Sequence, residues 1–314
     1  MKFAPTAARA RAGMCALLCV LLALLAAGCD RAGTAPLGAG DGHARFQVVA
    51  AENFWGSIAG QLAGDRAHVQ SIIVNPNTDP HSYQPTAQDA REMAGANVAI
   101  VNGVGYDEWA QQLLQASASS ARAVLNVGTL LGLSAGANPH RWYYPQDVRR
   151  VAAAIVADYD RVDPGDRSYF AAREQWFLGR ALAPYDRLLA QIRERYAGVP
   201  VGYSESIFEG LGEALGLKLL TPYSFAKSIA EGTDVSVADK RTVDAQARER
   251  KIAVWVFNSQ NVTPDVQRVT QIAQEQGIPI VTITETLAPA SASFQQWQVG
   301  EMQALERALG KVHG

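Results

Sequence analysis

The chain has 314 residues, with 28 Lys+Arg against 30 Asp+Glu, five His and three Cys. Its 48% apolar and 18% charged content excludes a disordered or collagen-like chain, and a net charge of −2 offers no basic surface, so nucleic acid is excluded as a partner. The length corresponds to about two domains at ~100–200 residues each, and three cysteines cannot build a disulfide framework in it.

Residues 1–28 read as an export signal. Lys2, Arg9 and Arg11 precede an unbroken apolar run from Met14 to Ala27. That run is shorter than the ~20 residues needed to span a bilayer, and it fits a secretory h-region. Ala26-Ala27-Gly28-Cys29 resembles the bacterial lipobox, in which the Cys becomes the lipidated first residue of the mature chain. Here Ala26 stands where Leu is usual, with Leu25 one step earlier. The alternative is ordinary signal cleavage beside an incidental cysteine. Cleavage before Cys29 removes three cations and no acid, together with Cys15 and Cys19, so Cys29 keeps no thiol partner. Residues 29–44, rich in Gly, Ala and Asp, read as a flexible tether. The protein is then expected outside the cytoplasm, facing the periplasm or the cell exterior, anchored by acyl chains rather than by a membrane span.

Strand-like and helix-like segments alternate after the tether. Strands are expected at 46–50, 69–74, 98–102 and 123–127, with helices at 54–62, 108–114 and 145–160. In the last helix Val148, Val151, Ala152 and Ile155 share one face. The pattern restarts with strands at 199–203, 252–257 and 278–283 and helices at 207–215, 264–276 and 294–309. Between the halves, Asp163-Pro164-Gly165-Asp166 starts a helical stretch that ends at Gly198 and Pro200, with Pro184 expected to bend or divide it. That stretch could be a strut between halves or a helical hairpin within one domain, although no turn cluster lies inside it. The expected fold class is α/β: two lobes, each a parallel sheet flanked by helices, joined by a long backbone helix. The expected divisions are a lobe at 45–162, the linking helix at 163–197 and a second lobe at 198–314.

Two segments repeat one uncommon context: Asp79-Pro80-His81-Ser82-Tyr83-Gln84-Pro85 and Asn138-Pro139-His140-Arg141-Trp142-Tyr143-Tyr144-Pro145. Each carries Asx-Pro-His, an aromatic two residues on, and a proline ahead of a helix. Asx-Pro stiffens a turn, so each holds an imidazole on a rigid loop beyond a strand, where open α/β sheets bind ligands. Tyr83 and Trp142 could screen such a site from water.

These motifs resemble the metal-binding solute receptors of bacterial ABC transporters, the zinc/manganese class, across essentially the whole mature chain. Val101-Asn102-Gly103-Val104-Gly105-Tyr106-Asp107-Glu108-Trp109 is similar to that family's Gly-x-Gly…Trp loop. The resemblance implies His81 and His140 as ligands, with Glu205 of Glu205-Ser206-Ile207-Phe208 as the third and Glu209 as its substitute. Glu285 would be the fourth, standing where the family carries Asp. It implies capture of a divalent ion (Mn²⁺, Zn²⁺ or Fe²⁺) as transported cargo, no catalysis, and docking on an ABC permease; the chain is expected to be monomeric. The long His- and acid-rich loop of many zinc members is absent. Two imidazoles and two carboxylates balance a dication. Zinc prefers a tetrahedron of N and S ligands, whereas carboxylates binding through both oxygens suit Mn or Fe(II), so the donor set leans toward the latter.

Three rival readings remain. One is a receptor for an organic or chelated-metal solute. Another is a metallohydrolase, which needs an open metal position for water. The third is a serine hydrolase built on Gly202-Tyr203-Ser204-Glu205-Ser206, which lacks the last glycine of the nucleophile elbow and has only His313 downstream.

Overall fold

Strand β1 (Phe46–Glu52) is buried at every position except Gln47, the near-continuous apolar run of a strand covered on both faces. The computed structural model describes Met1 and residues 45–76, 78 and 80–313; the expected signal peptide, the tether and Cys29 lie outside the described residues. β1 pairs in parallel with β2 (Ala67–Ile73) and β3 (Val98–Val101), and β3 with β4 (Ala123–Asn126), in the order β2-β1-β3-β4. The second sheet repeats this plan. β5 (Pro200–Tyr203), β6 (Lys218–Leu219), β7 (Val254–Asn258) and β8 (Ile280–Ile283) run parallel in the order β6-β5-β7-β8. In each sheet the chain lays its second strand on one side of the first and its third on the other. The crevice at the carboxyl ends of that central pair is where such sheets bind ligands.

Helices α1 (Asn53–Ala63), α2 (Ala87–Gly95), α3 (Glu108–Ala116), α4 (Val127–Leu131) and α5 (Pro145–Val162) connect and follow the first four strands. The linking segment comprises α6 (Arg167–Trp176), a wide turn at Phe177–Ala181 and α7 (Ala183–Tyr196). Backbone angles stay right-handed helical at Trp176, Phe177 and Leu182, so the segment is a single irregular helix and not a hairpin. Pro184 explains the irregularity. It has no N–H to return to the turn before it, and the Leu182 N–H reaches back five residues to the Phe177 carbonyl at 3.0 Å.

The second half continues with α8 (Glu209–Ala214), α9 (Tyr223–Ala230), α10 (Val237–Arg248), α11 (Pro264–Glu275) and α12 (Phe294–His313). Helices α2, α4, α9 and α10 and the two-residue β6 have no counterpart among the expected elements. In α10 only Val243 and Ala247 are buried, too thin a stripe to register as a period; its start is instead marked by the Ser236 hydroxyl, which accepts the Asp239 N–H. No helix among the described residues is long and apolar enough to cross a membrane.

One hydrophobic cluster runs through both sheets and the linking helix, taking in Val48, Ile100, Val201, Val256, Phe170, Phe177 and Tyr185. The lobes therefore share a core. Replacing Phe177, fully buried at the wide turn, by Ala is expected to cost about 3–5 kcal/mol of stability. Urea unfolding would measure it, and a loss under ~1 kcal/mol would mean that the helix merely lies on the core.

Candidate metal centre

The site grows from polar residues that end buried strands. Glu52 ends β1, Asn102 follows β3, Asn258 ends β7, Glu205 lies two residues past β5 and Glu285 two past β8. All five are 0–1% exposed. A parallel sheet covered on both faces leaves its strand ends as the place where such groups can converge.

His140, Glu205 and Glu285 come together there, each offering a ligand atom within 4.8 Å of the others. His140 Nε2 lies 3.6 Å from Glu205 Oε1 and 4.0 Å from Glu285 Oε2. The first lobe supplies the imidazole and the second both carboxylates. The tautomer of His140 is set by Asn138. The Asn138 amide donates to the Ser206 carbonyl at 2.7 Å and to Glu209 Oε2 at 3.0 Å. That identifies its Oδ1 as the acceptor facing His140, where it takes the backbone N–H at 3.0 Å and Nδ1 at 2.8 Å. Nδ1 therefore carries a proton, and Nε2 is the ring atom turned to the two carboxylates. Asn102 fixes the carbonyl just before His140, donating to Pro139 O at 2.9 Å while accepting Trp55 Nε1–H at 3.0 Å.

The carboxylates are held by neutral donors. Asn258 Nδ2 donates to Glu205 Oε2 and to Glu285 Oε1, both at 2.8 Å. Tyr106 OH donates to Glu285 Oε2 at 2.6 Å. The glycine loop aims that tyrosine: Gly103 and Gly105 take positive φ of 75° and 80°, which glycine adopts without a Cβ penalty. The Asp107 carboxylate closes the loop by accepting Asn102 N–H at 2.6 Å and Gly103 N–H at 2.7 Å. Burial pushes Asp107 up to about 6 against those bonds. Burial, reinforced by the charges of Asp107 and Glu285, raises Glu52 well above its ordinary value, favouring its neutral form.

Of the residues expected from sequence, His81 has its backbone in the turn Pro80–Ser82, while its side chain lies outside the described residues. Trp142 is fully buried, stacked on Phe54 at 3.9 Å and edge-on to His140 at 5.3 Å. Tyr83 turns elsewhere: its hydroxyl donates to Asp89 at 2.9 Å and its ring packs edge-on to Trp109 at 4.9 Å. It braces the His81 loop against α2 and α3. Glu209, the alternative to Glu205, bonds Asn138 and is not in the three-ligand cluster. Ser204, the hydrolase candidate, accepts the Asn258 N–H at 3.1 Å. Sequence reasoning missed Asn258, Tyr106 and Asn138 as site residues. Only Asn258 stands at the carboxyl end of an apolar strand, where a polar terminus is ordinary; Tyr106 and Asn138 lie in loops.

Residues 48–308 match the family of periplasmic zinc-uptake complex component A, ZnuA. The chain belongs to this family. The ZnuA family is one of solute-binding receptors and not of enzymes, which removes the hydrolase readings. The manganese-binding lipoprotein MntA of Halalkalibacterium halodurans is 26% identical over 270 residues, covering 83% of this chain and 85% of that protein. The iron-binding protein YfeA of Yersinia pestis is 24% identical, covering 82% and 75%. The fold is similar to that of the Mn-bound periplasmic metal binding protein from Candidatus Liberibacter asiaticus, with a TM-score of 0.69, 19% identity and coverage of 84% and 100%. It is equally similar to that of the periplasmic zinc binding protein TroA from Treponema pallidum, at 0.69, 17%, 86% and 99%.

Beside the cluster, Glu301 on α12 anchors the Glu285 loop. It accepts Tyr143 OH at 2.6 Å, Thr284 N–H at 2.9 Å and Trp297 Nε1–H at 2.9 Å. Burial pushes it from 4.5 to about 8. The native carboxyl thus holds its proton more tightly than the unfolded chain does. Its contribution to stability is complete below the unfolded value of 4.5 and is lost as pH rises toward about 8. The metal-free protein is expected to lose stability to urea between about pH 5 and pH 8, and Glu301→Gln to lessen that loss. An identical slope in the variant would mean that Glu301 is ionised throughout.

Proposed function

We propose that this chain is an extracytoplasmic receptor that captures a divalent transition metal (Mn²⁺, Zn²⁺ or Fe²⁺) between its lobes and delivers it to an ABC permease. His81 and His140 of the first lobe and Glu205 and Glu285 of the second are the ligands. Residues 1–28 are the export signal, Cys29 carries the lipid and 29–44 form the tether. The lobes, 45–162 and 198–314, are joined through 163–197, and the receptor acts as a monomer at the outer face of the cell membrane.

The observation that carries this reading is the meeting of His140, Glu205 and Glu285, buried together from two lobes with His140 Nε2 turned to the carboxylates. Two buried anions without a cation are very costly; a dication between them and neutral imidazoles balances the charge. Family membership supports a receptor, and the manganese- and iron-binding relatives support the choice of metals.

The test is thermal unfolding of the lipid-free mature chain after chelation, with Zn²⁺, Mn²⁺ or Fe²⁺ restored. A metal at 100 times its Kd is expected to add ~2.7 kcal/mol of stability. His81→Ala and His140→Ala should each abolish the shift. No shift with any of the three metals would reject the reading.

A further inference from the structure

Resting on the reading of Cys29 as a lipid anchor, we infer that the outer face of the linking helix, with α12 beside it, is a footing for a membrane surface of anionic phospholipid headgroups. The waiting receptor lies on this face with its cleft turned away from the bilayer. Charge on the face is one-sided, although the whole chain holds 30 acids to 28 Lys and Arg. Along 167–197 the exposed charged residues are Arg167, Arg180, Arg187, Arg193 and Arg195, against Glu194 alone. Helix α12 packs along α7 and adds exposed Arg307 and Lys311. Most acids here are already engaged: Asp186 pairs with Arg149, and Glu306 binds Arg195 and Gln191 at 2.8 and 2.6 Å. Only Glu174, half-buried, and Glu194 make no ion pair among the described residues.

The anchored end of the chain enters at this face. The described body starts at Arg45, and Phe46, the first residue of β1, packs its ring edge-on to Phe170 of α6 at 6.1 Å. Residues 29–44 therefore join the body at the start of the linking helix, and fully extended they hold that point within about 55 Å of Cys29. The other end of the helix, Tyr196, leads within four residues into Pro200, the first residue of β5. Both ends thus lie at the amino ends of central strands. The cluster lies past the carboxyl ends, since Glu52 closes β1 about 20 Å along it and Glu205 follows β5. A surface against the helix is therefore on the side opposite the cleft. The chemistry fits phosphate: every exposed cation on the linking helix is an arginine, whose planar fork matches phosphate oxygens. Trp176, 36% exposed, lies among them with the Arg173 guanidinium 4.5 Å over its ring, and an indole with one wet edge suits the headgroup level. Each cation strengthens binding to an anionic surface only about five-fold, so the contact holds a tethered body yet lets it lift off.

The experiment is co-sedimentation of the lipid-free mature chain with vesicles of phosphatidylcholine, alone or mixed equally with phosphatidylglycerol, at low salt, where screening is weakest. The anionic vesicles should bind it about ten-fold or more tightly than the neutral ones, and the double variant Arg180→Glu/Arg187→Glu should lose most of that gain. Arg91→Glu/Arg241→Glu makes the same change in net charge on α2 and α10, which pack on cores other than the one under the linking helix, and should keep it. Equal loss in the two double variants, or no preference of the wild type for anionic vesicles, would overturn the inference. Brominated acyl chains in the anionic vesicles should quench the wild type more than Trp176→Phe, because the other five tryptophans are buried. Equal quenching would also overturn it, without any change of charge. The anchor is read separately, by comparing how full-length wild type and Cys29→Ser partition into cell membranes. A wild type as soluble as the variant would reject the anchor and the footing together. An anchored wild type whose mature chain ignores anionic vesicles would reject the footing alone.

Discussion

Two carboxylates buried within reach of one amide are the constraint on which the rest of the site depends. Glu205 and Glu285 are 0% and 1% exposed, and both accept from Asn258 at 2.8 Å. Like charges so placed repel strongly in a low dielectric, and neutral donors only moderate this. The surroundings add little further charge. Burial and acidic neighbours push Glu52 toward its neutral form, and Asp107 spends its oxygens on the Asn102 and Gly103 N–H groups. The net local demand is for a cation, and the imidazole beside it is oriented by the Nδ1–H donated to Asn138, which turns Nε2 toward the carboxylates. Charge balance, tautomer and burial therefore act in the same direction.

That constraint extends to how the lobes are joined. Asn138 orients His140 and also donates to Ser206 O, one residue past Glu205. Tyr106 crosses from the first lobe to Glu285. The Tyr143 hydroxyl, three residues past His140, lies within hydrogen-bond distance of Thr284 O at 2.9 Å and of Glu301 Oε2 at 2.6 Å. Asn53, at the start of α1, accepts the Leu287 N–H at 3.1 Å. Asn138, which orients His140, and Tyr106, which bonds Glu285, both cross between the lobes, so the position of one loop of the cluster is felt by the other.

The sequence made the architecture legible because parallel strands buried on both faces are near-continuous apolar runs and helices such as α5 carry a full apolar stripe. His140 was legible because the Asx-Pro-His context recurs, and Glu205 and Glu285 through the resemblance built on it. Asn258 was not legible. It stands after Phe257 as an ordinary strand terminus, and its role follows only from the parallel pairing of β5, β7 and β8, which brings residues 205, 258 and 285 to one edge. Tyr83 shows the opposite failure. It occupies the same place in its motif as Trp142, yet the Asp89 carboxylate draws its hydroxyl away from the cluster. Motif position fixes the backbone, while the available partner decides where the side chain goes.

The same partners determine where the molecule can yield. Parting the lobes at the site breaks single hydrogen bonds such as Asn138 to Ser206 O, each worth ~0.5–1.5 kcal/mol net. Moving the linking helix off the shared core would expose Phe170, Phe177 and Tyr185, all within 1% of full burial, at about 1.5–3 kcal/mol for a large apolar side chain. The cheaper deformation is therefore local, in the loops carrying His140 and Glu285, and a hinge through the long helix is the more costly one. On the proposed reading, cargo entry and release depend on the bonds that also fix the candidate ligands, since Asn138 and Tyr106 both bridge the lobes and position His140 and Glu285. In a site built this way, access and affinity are not independent variables.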